Sequence, residues 1–214
     1  MLKYLVEGEP FPPVEAVDDQ GLIAYGGDLS VERLVEAYGR GIFPFFAFRY
    51  EPIVWACPLD RFVIFPDEIH VSHSMRTLLN SGRYRVTFNE NFRAVIVNCA
   101  VAQDRYDDDY AWLGEDMVSA YCALNEHGLA ESVEVWEGVE LVGGLYGVTL
   151  RGCFFGESMF SLAPSASKVA LISLARRMAE SGGKMIDCQY ETPHLLTMGG
   201  RHISYDEYME IVNK

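Results

Sequence analysis

The segment 185–189, an apolar run that contains one acid and one amide, holds the side chains best suited to chemistry. If this segment is a strand, its side chains alternate between the two faces of a sheet. Asp187 and Gln189 then point the same way, while Ile186 and Cys188 point the other way. Burying a carboxylate without a partner is costly or neutralises the group. We therefore expect Asp187 either to be paired within the core or to take part in a reaction, and the pattern leaves both open.

A second apolar run, 153–161, carries the carboxylate of Glu157 among aromatic residues. As a strand, this run predicts that Glu157 shares its face with Phe155 and Met159 and that Ser158 faces the other way. A serine hydrolase is therefore not indicated, and the sequence contains no G-x-S-x-G motif. Two strands of this kind predict either structurally paired acids or a site that uses them.

Motifs for metal ions and nucleotide phosphates are missing from the sequence. There is no H-E-x-x-H motif, and solvation is the simpler interpretation of His70 and His73 near a helix start. The acid-rich segment 104–109 lacks the spacing and the glycine of an EF-hand. The two glycines at 26–27 precede a helix, but no Lys–Ser or Lys–Thr pair follows as in a phosphate-binding loop. We predict no metal site.

The composition indicates a soluble globular protein with an acidic surface. The chain has 214 residues, of which 50% are apolar and 13% aromatic, which is enough for a packed core. A net charge of −14 argues against a protein that coats nucleic acid, although a partner touched only at one end remains possible. The five cysteines are far apart, so we expect reduced thiols. The absence of a signal peptide and of a long apolar run predicts a cytoplasmic protein with no membrane contact.

Proline usage divides the chain near residue 60. Six of the nine prolines lie before that point, around a helix that Ser30 caps, so we predict a small N-terminal domain over 1–60. Residues 61–214 alternate between strand and helix patterns, with three strands in a turn-linked meander over 132–160. Within this part we expect helices to begin at Ser72, Ser165 and Ser204. This order predicts an α/β (α+β) fold, in which helices cover both faces of a mixed sheet.

Three local features have more than one interpretation. Pro44 lies in an aromatic segment that we expect to be a turn, because a residue without a donor cannot occupy a central strand. Gly143 and Gly144 fall inside a strand, where glycine marks a bulge or a close backbone approach to a ligand. Trp112 is either a core residue or a stacking platform for a base.

Six segments, read in order, resemble the leucyl/phenylalanyl-tRNA–protein transferase family of bacteria. The resemblance covers nearly the whole chain, and six segments in order are far more specific than any one of them. They are 21–29 (GLIAYGGDL), 38–45 (YGRGIFPF), 141–148 (LVGGLYGV), 155–161 (FGESMFS), 166–168 (ASK) and 186–189 (IDCQ).

The resemblance implies an enzyme that transfers Leu or Phe from its tRNA to the N-terminal Arg or Lys of an acceptor protein, which marks that protein for degradation. It implies that a GNAT-like acyltransferase domain follows the small N-terminal domain. It implies no metal and no organic cofactor, and we expect a monomer. Because aminoacyl-tRNA is already an activated ester, an amine can attack it without a protein nucleophile, which agrees with the missing serine and cysteine machinery.

The same resemblance assigns roles to individual residues. Gln189 would hydrogen-bond the attacking amine, Asp187 would polarise or orient it, and Glu157 would bind the basic acceptor residue. The family's apolar pocket for the aminoacyl side chain corresponds to Leu145, Phe154, Met159, Leu171, Leu174 and Ile186, and its contacts to the terminal adenosine or the peptide correspond to Phe45, Trp112 and Tyr121.

Four positions depart from the family pattern. Phe45 stands where the best-known members have Trp, Leu145 and Leu174 stand where they have Met and Phe, and Thr192 replaces an Asn. These changes leave the preference among Leu, Phe and Met open. The segment 72–85 is less basic than in the family, which predicts a small tRNA footprint and a salt-sensitive affinity.

Two other functions compete with this one. An N-acyltransferase that uses acyl-CoA should carry an Arg/Gln-x-x-Gly-x-Gly/Ala turn before a helix, and residues 162–167 lack those glycines. A catalytically silent binder of basic N-termini would use Glu157 and the apolar pocket, but it would leave Asp187 and Gln189 without a role.

Overall fold

The computed structural model describes residues 2–46, 52–104 and 114–214. Within these residues the chain forms two mixed β-sheets and seven α-helices, so the prediction of a mixed α+β fold is confirmed. The five cysteines are all unpaired, as expected. No helix among the described residues combines the length and the apolar character needed to cross a bilayer.

The first sheet has four strands in the order β1-β2-β4-β3. β1 and β2 pair in parallel, and the other neighbours pair antiparallel. The segment around Pro44, expected to be a turn, forms the edge strand β3, a position where a residue without an N–H donor is tolerated. The elements of this part are β1 (Lys3–Leu5), β2 (Leu22–Gly26), α1 (Val31–Gly39), β3 (Phe43–Phe46) and β4 (Val54–Ala56).

The second sheet has seven strands in the order β11-β5-β10-β9-β8-β7-β6. Its strands are β5 (Asp60–Ile64), β6 (Arg85–Phe88), β7 (Ala130–Glu137), β8 (Glu140–Leu150), β9 (Cys153–Ser161), β10 (Met185–Asp187) and β11 (Arg201–Ser204). β9 and β10 pair in parallel, whereas the other neighbours pair antiparallel. The meander predicted over 132–160 is confirmed as β7, β8 and β9.

Helices cover both faces of this larger sheet, as predicted. The remaining helices are α2 (His73–Asn80), α3 (Phe92–Asp104), α4 (Glu115–Glu126), α5 (Ala166–Ser181), α6 (Pro193–Thr197) and α7 (Tyr205–Asn213). On one face, α5 packs on β7, β8 and β9 around Leu145 and Phe154. On the other face, α3 packs on the same three strands and α4 packs on β7 and α3, around Tyr146 and Phe155. Burial of both faces is the main source of stability for such a sheet.

Side-chain caps fix where several helices begin. Ser30, Ser72 and Ser204 each accept a hydrogen bond from the backbone N–H three residues later, as the sequence predicted. Ser165, expected to begin α5, has a left-handed backbone with φ of 63° and makes no capping hydrogen bond. Thr192 caps the short helix α6.

A β-bulge in β9 changes the direction of Glu157. The register of β8 and β9 shifts between the pairs Tyr146–Ser158 and Gly147–Gly156, which leaves Glu157 without a residue opposite it. The extra residue interrupts the alternation of side chains along the strand. Phe155 consequently packs with the α3 and α4 side, whereas Met159 packs with the α5 side. The prediction that Glu157 shares one face with both was therefore wrong, because regular alternation does not continue through a bulge.

The two glycines in β8 are needed for close packing within the protein rather than for a ligand. A Cβ atom added at Gly143 would lie 2.4 Å from the Cβ of Ala166, where α5 begins on the sheet. A Cβ atom added at Gly144 would lie 2.7 Å from the carbonyl oxygen of Val133. The register of β7 and β8 also shifts next to Gly143, so the expected bulge is present.

We predict that Gly143→Ala destabilises the protein by about 1–3 kcal/mol, because the new methyl group overlaps the first turn of α5. The matched control is Gly39→Ala at the end of α1, where an added Cβ would only reach ordinary contact, 3.8 Å from Leu150. That change should be neutral or stabilising, since Ala favours a helix over Gly. Urea unfolding of both variants checks this, and equal stabilities would contradict it.

Candidate active site

A cavity of about 300 Å³ opens where β9 bulges and β10 ends. It is bounded by β8, β9 and β10, by α5, and by the segment that leads into α6. Its lining combines an apolar slot with a small group of polar side chains. The lining residues are Leu145, Tyr146, Phe154, Gly156, Glu157, Ser158, Met159, Leu171, Ile186, Asp187, Cys188, Gln189, Thr192, His194 and Leu195.

Most of the residues that sequence analysis selected meet at this cavity. Of the six expected in an apolar pocket, five line it, and Leu174 is instead fully buried in the core beneath α5. Tyr121 is also fully buried, and its hydroxyl group donates to Glu157 instead of lining the cavity. Phe45 lies outside the lining, 5.4 Å from the ring of Tyr190. Trp112 lies outside the described residues.

Asp187 is completely buried and is held by an ion pair with Arg61. Arg61 Nε and Nη2 donate to the two oxygens of Asp187 at 3.0 and 2.6 Å. Tyr208 donates its hydroxyl hydrogen to Asp187 Oδ2 at 2.9 Å, and the backbone N–H of Gln189 donates to Oδ1 at 2.8 Å. Of the two outcomes that the sequence left open, Asp187 therefore takes the paired one: its carboxylate is closed to solvent and saturated with hydrogen bonds.

Other groups of the protein surround the Arg61 guanidinium besides Asp187. Its guanidinium lies between the rings of Phe43 and Tyr208, 4.8 and 4.7 Å from their centroids, and its Nη1 donates to the carbonyl of Gly41 at 2.9 Å. Burial alone would lower the pKa of Arg61, but the Asp187 carboxylate outweighs this effect and raises it. Arg61 therefore remains charged in the interior, next to the Asp187 carboxylate.

Gln189 faces the cavity through a turn and not through the strand that was predicted. β10 ends at Asp187, and Gln189 has a left-handed backbone with φ of 63°. The N–H of Gln189 goes to the Asp187 side chain instead of a neighbouring strand. Phe62 of β5 still accepts from the Cys188 N–H and donates to the backbone carbonyl oxygen of Gln189. The Gln189 side chain then donates from Nε2 to Glu157 Oε1 at 3.0 Å.

Glu157 is partly exposed and receives hydrogen bonds only from neutral groups among its described contacts. Tyr38 donates to Oε1 and Tyr121 donates to Oε2, each at 2.7 Å, and the two hydroxyl oxygens are 2.6 Å apart. Burial raises the pKa of Glu157 to about 7, although the hydrogen bonds from both tyrosines oppose this rise. Burial also raises the pKa of Tyr38 and Tyr121 well above the usual value, so both remain neutral donors.

Two polar atoms in the cavity wall have no hydrogen-bond partner. Among the described residues, the buried side-chain nitrogen or oxygen atoms without one are Tyr146 Oη and His194 Nε2, and both residues line this cavity. Burial lowers the pKa of His194, and the charge of Lys168 lowers it further, which favours the neutral imidazole. An unpaired buried polar group is costly, so each of these two atoms is available to a further hydrogen-bond partner.

Sequence analysis missed Arg61, Tyr38 and His194. Arg61 could have been found, because a lone arginine at the start of an apolar strand requires a partner and Asp187 and Glu157 were the acids in apolar runs. Tyr38 is a buried residue of α1, and helical periodicity gives its hydroxyl group no signal. His194 carries no motif that distinguishes it from a solvated histidine.

We predict that Arg61→Met costs about 3–5 kcal/mol of stability, because it leaves the Asp187 carboxylate buried without a counter-charge. The control is Arg83→Met, which breaks an ion pair with Glu137 whose side chains are both 42% exposed. Such an exposed pair contributes at most about 1 kcal/mol. Urea unfolding would contradict the prediction if both variants lost the same stability.

Comparison with known proteins gives the same family over nearly the whole chain. The model of the leucyl/phenylalanyl-tRNA protein transferase family matches residues 63–213, and the model of its N-terminal domain matches residues 27–59. A leucyl/phenylalanyl-tRNA–protein transferase from Flavobacterium johnsoniae is 46% identical over 209 residues, 98% of each chain. One from Pseudomonas putida W619 is 50% identical over 207 residues, 95% of this chain and 90% of that protein.

Solved structures give only a distant likeness. The C-terminal domain of a putative lysylphosphatidylglycerol synthetase from Agrobacterium fabrum aligns with 78% of this chain and 53% of its own, at 11% identity and a TM-score of 0.44. The identification therefore depends on sequence, where the family models cover most of the chain and the relatives cover nearly all of it. The chain belongs to the leucyl/phenylalanyl-tRNA–protein transferase family.

Proposed function

We propose that this protein transfers Leu or Phe from aminoacyl-tRNA to the N-terminal Arg or Lys of acceptor proteins, and so marks them for degradation. The observation that carries the proposal is one cavity in which an apolar slot adjoins the hydrogen-bonded pair Gln189 and Glu157. The names of its relatives supply the tRNA and the protein as the two substrates.

The apolar slot suits the side chain of the transferred amino acid. A volume of about 300 Å³ is at the lower end of small-ligand sites, which span roughly 300–1,000 Å³. This size fits the aminoacyl end of a tRNA and leaves the rest of the tRNA outside. The slot residues are Leu145, Phe154, Met159, Leu171 and Ile186.

Gln189 and Asp187 have complementary roles in this proposal. The amine attacks an ester that is already activated, so the protein has to hold the two together and orient the amine. Gln189 faces the cavity and hydrogen-bonds the amine, while Asp187 holds the backbone of Gln189 through the 2.8 Å contact to its N–H. Asp187 therefore acts by positioning Gln189, and Arg61 keeps Asp187 in place.

Glu157 gives the cavity its affinity for the acceptor. The described donors to Glu157 are neutral, so its ionised carboxylate has no counter-charge among them and attracts the cation that the N-terminal residue of the acceptor supplies. We include the predicted contacts of Phe45 and Trp112 with the adenosine or the peptide in this proposal. The predicted contact of Tyr121 is not included, because Tyr121 is fully buried and its hydroxyl group donates to Glu157. The altered residues Leu145 and Thr192 both line the cavity, which supports an effect on the choice of amino acid.

The tRNA contact is expected to be small. Of the three arginines at 76, 83 and 85, Arg83 pairs with Glu137 and Arg85 pairs with Glu90, so their charges are already compensated. The net charge of −14 adds long-range repulsion of phosphate. A small footprint of this kind gives modest affinity that declines with salt.

We propose the predicted division into a small N-terminal domain, 1–60, and a GNAT-like catalytic domain, 61–214, in a cytoplasmic monomer. The two family models meet between residues 59 and 63, and the larger sheet begins at Asp60, which supports this boundary. The alternatives of an acyl-CoA acyltransferase and of a silent binder remain outcomes of the assay that follows.

A filter assay tests the proposed function directly. Labelled Phe-tRNA or Leu-tRNA is mixed with the protein and a peptide that begins with Arg, and we expect labelled peptide. Peptides that begin with Ala are the control and should be poor acceptors. Turnover of acyl-CoA without use of tRNA would favour the first alternative, and peptide binding without transfer would favour the second.

We predict that Gln189→Ala lowers turnover at saturating substrates by at least tenfold, because the amine loses its orienting hydrogen bond. Gln20→Ala is the matched control, since Gln20 is exposed in a loop of the first sixty residues. Near-normal turnover of the Gln189 variant in the same filter assay would disprove its role.

A further inference from the structure

We propose that Glu157 accepts the proton of the attacking α-amine, and that its role extends beyond attracting the basic side chain of the acceptor. This inference rests on the proposed function. It names the group that acts as the base, a task that an amide such as Gln189 performs poorly.

The first step is that Asp187, the other acid of the cavity lining, cannot act as the base. Its Oδ1 accepts from Arg61 and from the backbone of Gln189, and its Oδ2 accepts from Arg61 and from Tyr208. A proton on Asp187 would have to break the ion pair and leave the Arg61 charge buried without its partner. Asp187 is also fully buried, so an amine in the cavity does not reach its oxygens.

The second step is that Glu157 is directed at the place where the amine must bind. The bulge in β9 turns its carboxylate toward the end of β10, where Gln189 leaves the strand. The hydrogen bond from Gln189 Nε2 to Glu157 Oε1 joins the two groups. Because the amide nitrogen makes this bond, the side-chain carbonyl oxygen of Gln189 points away from it, and no described residue donates to that oxygen. One amine can therefore contact the carbonyl of Gln189 and the carboxylate of Glu157 together.

The third step is electrostatic. Among the described residues, the groups that face Glu157 are Tyr38 from α1, Tyr121 from α4, Tyr146 from β8, Asp187 from β10, and Gln189. The tyrosines are neutral, and the charge of Asp187 is opposed by Arg61. Burial raises the pKa of Glu157 to about 7. An N-terminal amine has a pKa of ~7.7–8.0, and proton transfer is most efficient between groups with similar values near the working pH.

The proposed step balances without any further reactant. The amine nitrogen forms a bond with the ester carbonyl carbon while its proton passes to the Glu157 carboxylate. The bond between that carbon and the ribose O3′ then breaks, and Glu157 returns the proton to the departing O3′. The products are an amide and the free tRNA, and Glu157 is again ionised.

The dependence on pH follows from the direction of the shift. Glu157 must be ionised to accept a proton, so turnover at saturating substrates should rise with pH through about 7 and then level off. The neighbouring tyrosines titrate well above this range. Cys99 in α3 lies behind Ser158 and has a pKa of about 12, so it does not contribute either.

The experiment measures kcat from pH 5.5 to 9 with Phe-tRNA and two peptides, one beginning with Arg and one with citrulline, its neutral isostere. In Glu157→Gln we expect kcat to fall at least 50-fold for both peptides and the inflection near pH 7 to disappear. If Glu157 only attracts the basic side chain, that variant will keep kcat within threefold and lose its preference for Arg over citrulline, which overturns the inference.

A second variant keeps the test decisive if Glu157→Gln unfolds. Tyr121→Phe removes a hydrogen bond that lowers the pKa of Glu157, so the inflection should move to higher pH. Tyr205→Phe is the control, because its hydroxyl group bonds to the carbonyl of Arg40, away from the cavity. An unmoved inflection in Tyr121→Phe would overturn the inference while transfer itself continues. Absence of transfer by the unaltered protein would overturn the proposed function as well.

Discussion

The buried ion pair between Arg61 and Asp187 is the constraint on which the rest of the site depends. Removing two charges from water costs far more than their attraction returns unless every hydrogen-bonding position is filled. The pair joins β5 to β10, and the fold fills its remaining positions with the Gly41 carbonyl, the Gln189 backbone N–H and the Tyr208 hydroxyl of α7. The pair therefore fixes how those elements meet, and it does so at the point where β10 ends.

The end of β10 is what creates a site. Asp187 takes the backbone N–H of Gln189, and the chain turns there and directs the Gln189 side chain toward Glu157. The bulge in β9 brings Glu157 to the same place from the neighbouring parallel strand. The two acids consequently have opposite environments. Asp187 is fully buried against a cation, and Glu157 is partly exposed among neutral donors, an arrangement by which proteins separate the roles of two carboxylates.

The sequence predicted the elements better than it predicted their irregularities. Ser30, Ser72 and Ser204 mark helix starts because capping is a local interaction between residues three apart. The bulge at Glu157 and the early end of β10 depend on pairing between distant residues, which periodicity along one strand does not contain. β1, β2, β4 and β11 were missed as well, since strands of 3 to 5 residues are too short to show a clear alternation.

The site residues show the same division between local pattern and tertiary contact. Five of the six predicted pocket residues line the cavity, because the resemblance to the family carried information that the hydrophobic pattern lacked. Leu171 and Leu174 share one face of α5, yet only Leu171 reaches the cavity, which ends within one turn of the helix. Arg61, the partner of Asp187, is 126 positions away in the sequence. The spacing of residues therefore gave no sign of this pair, and only the balance of charges in apolar runs could have.

Through Tyr38, the N-terminal part of the chain affects the charge of Glu157 in the larger part. Its hydroxyl group belongs to a helix that precedes residue 60, and yet it solvates the acid in the cavity of the second sheet. The proton affinity of that acid is thus set jointly by two sections of the chain that fold around different sheets. Any rearrangement that moves α1 away from β9 would remove this hydrogen bond and change the proton affinity of Glu157. The position of the first section therefore controls the protonation of the acid in the second.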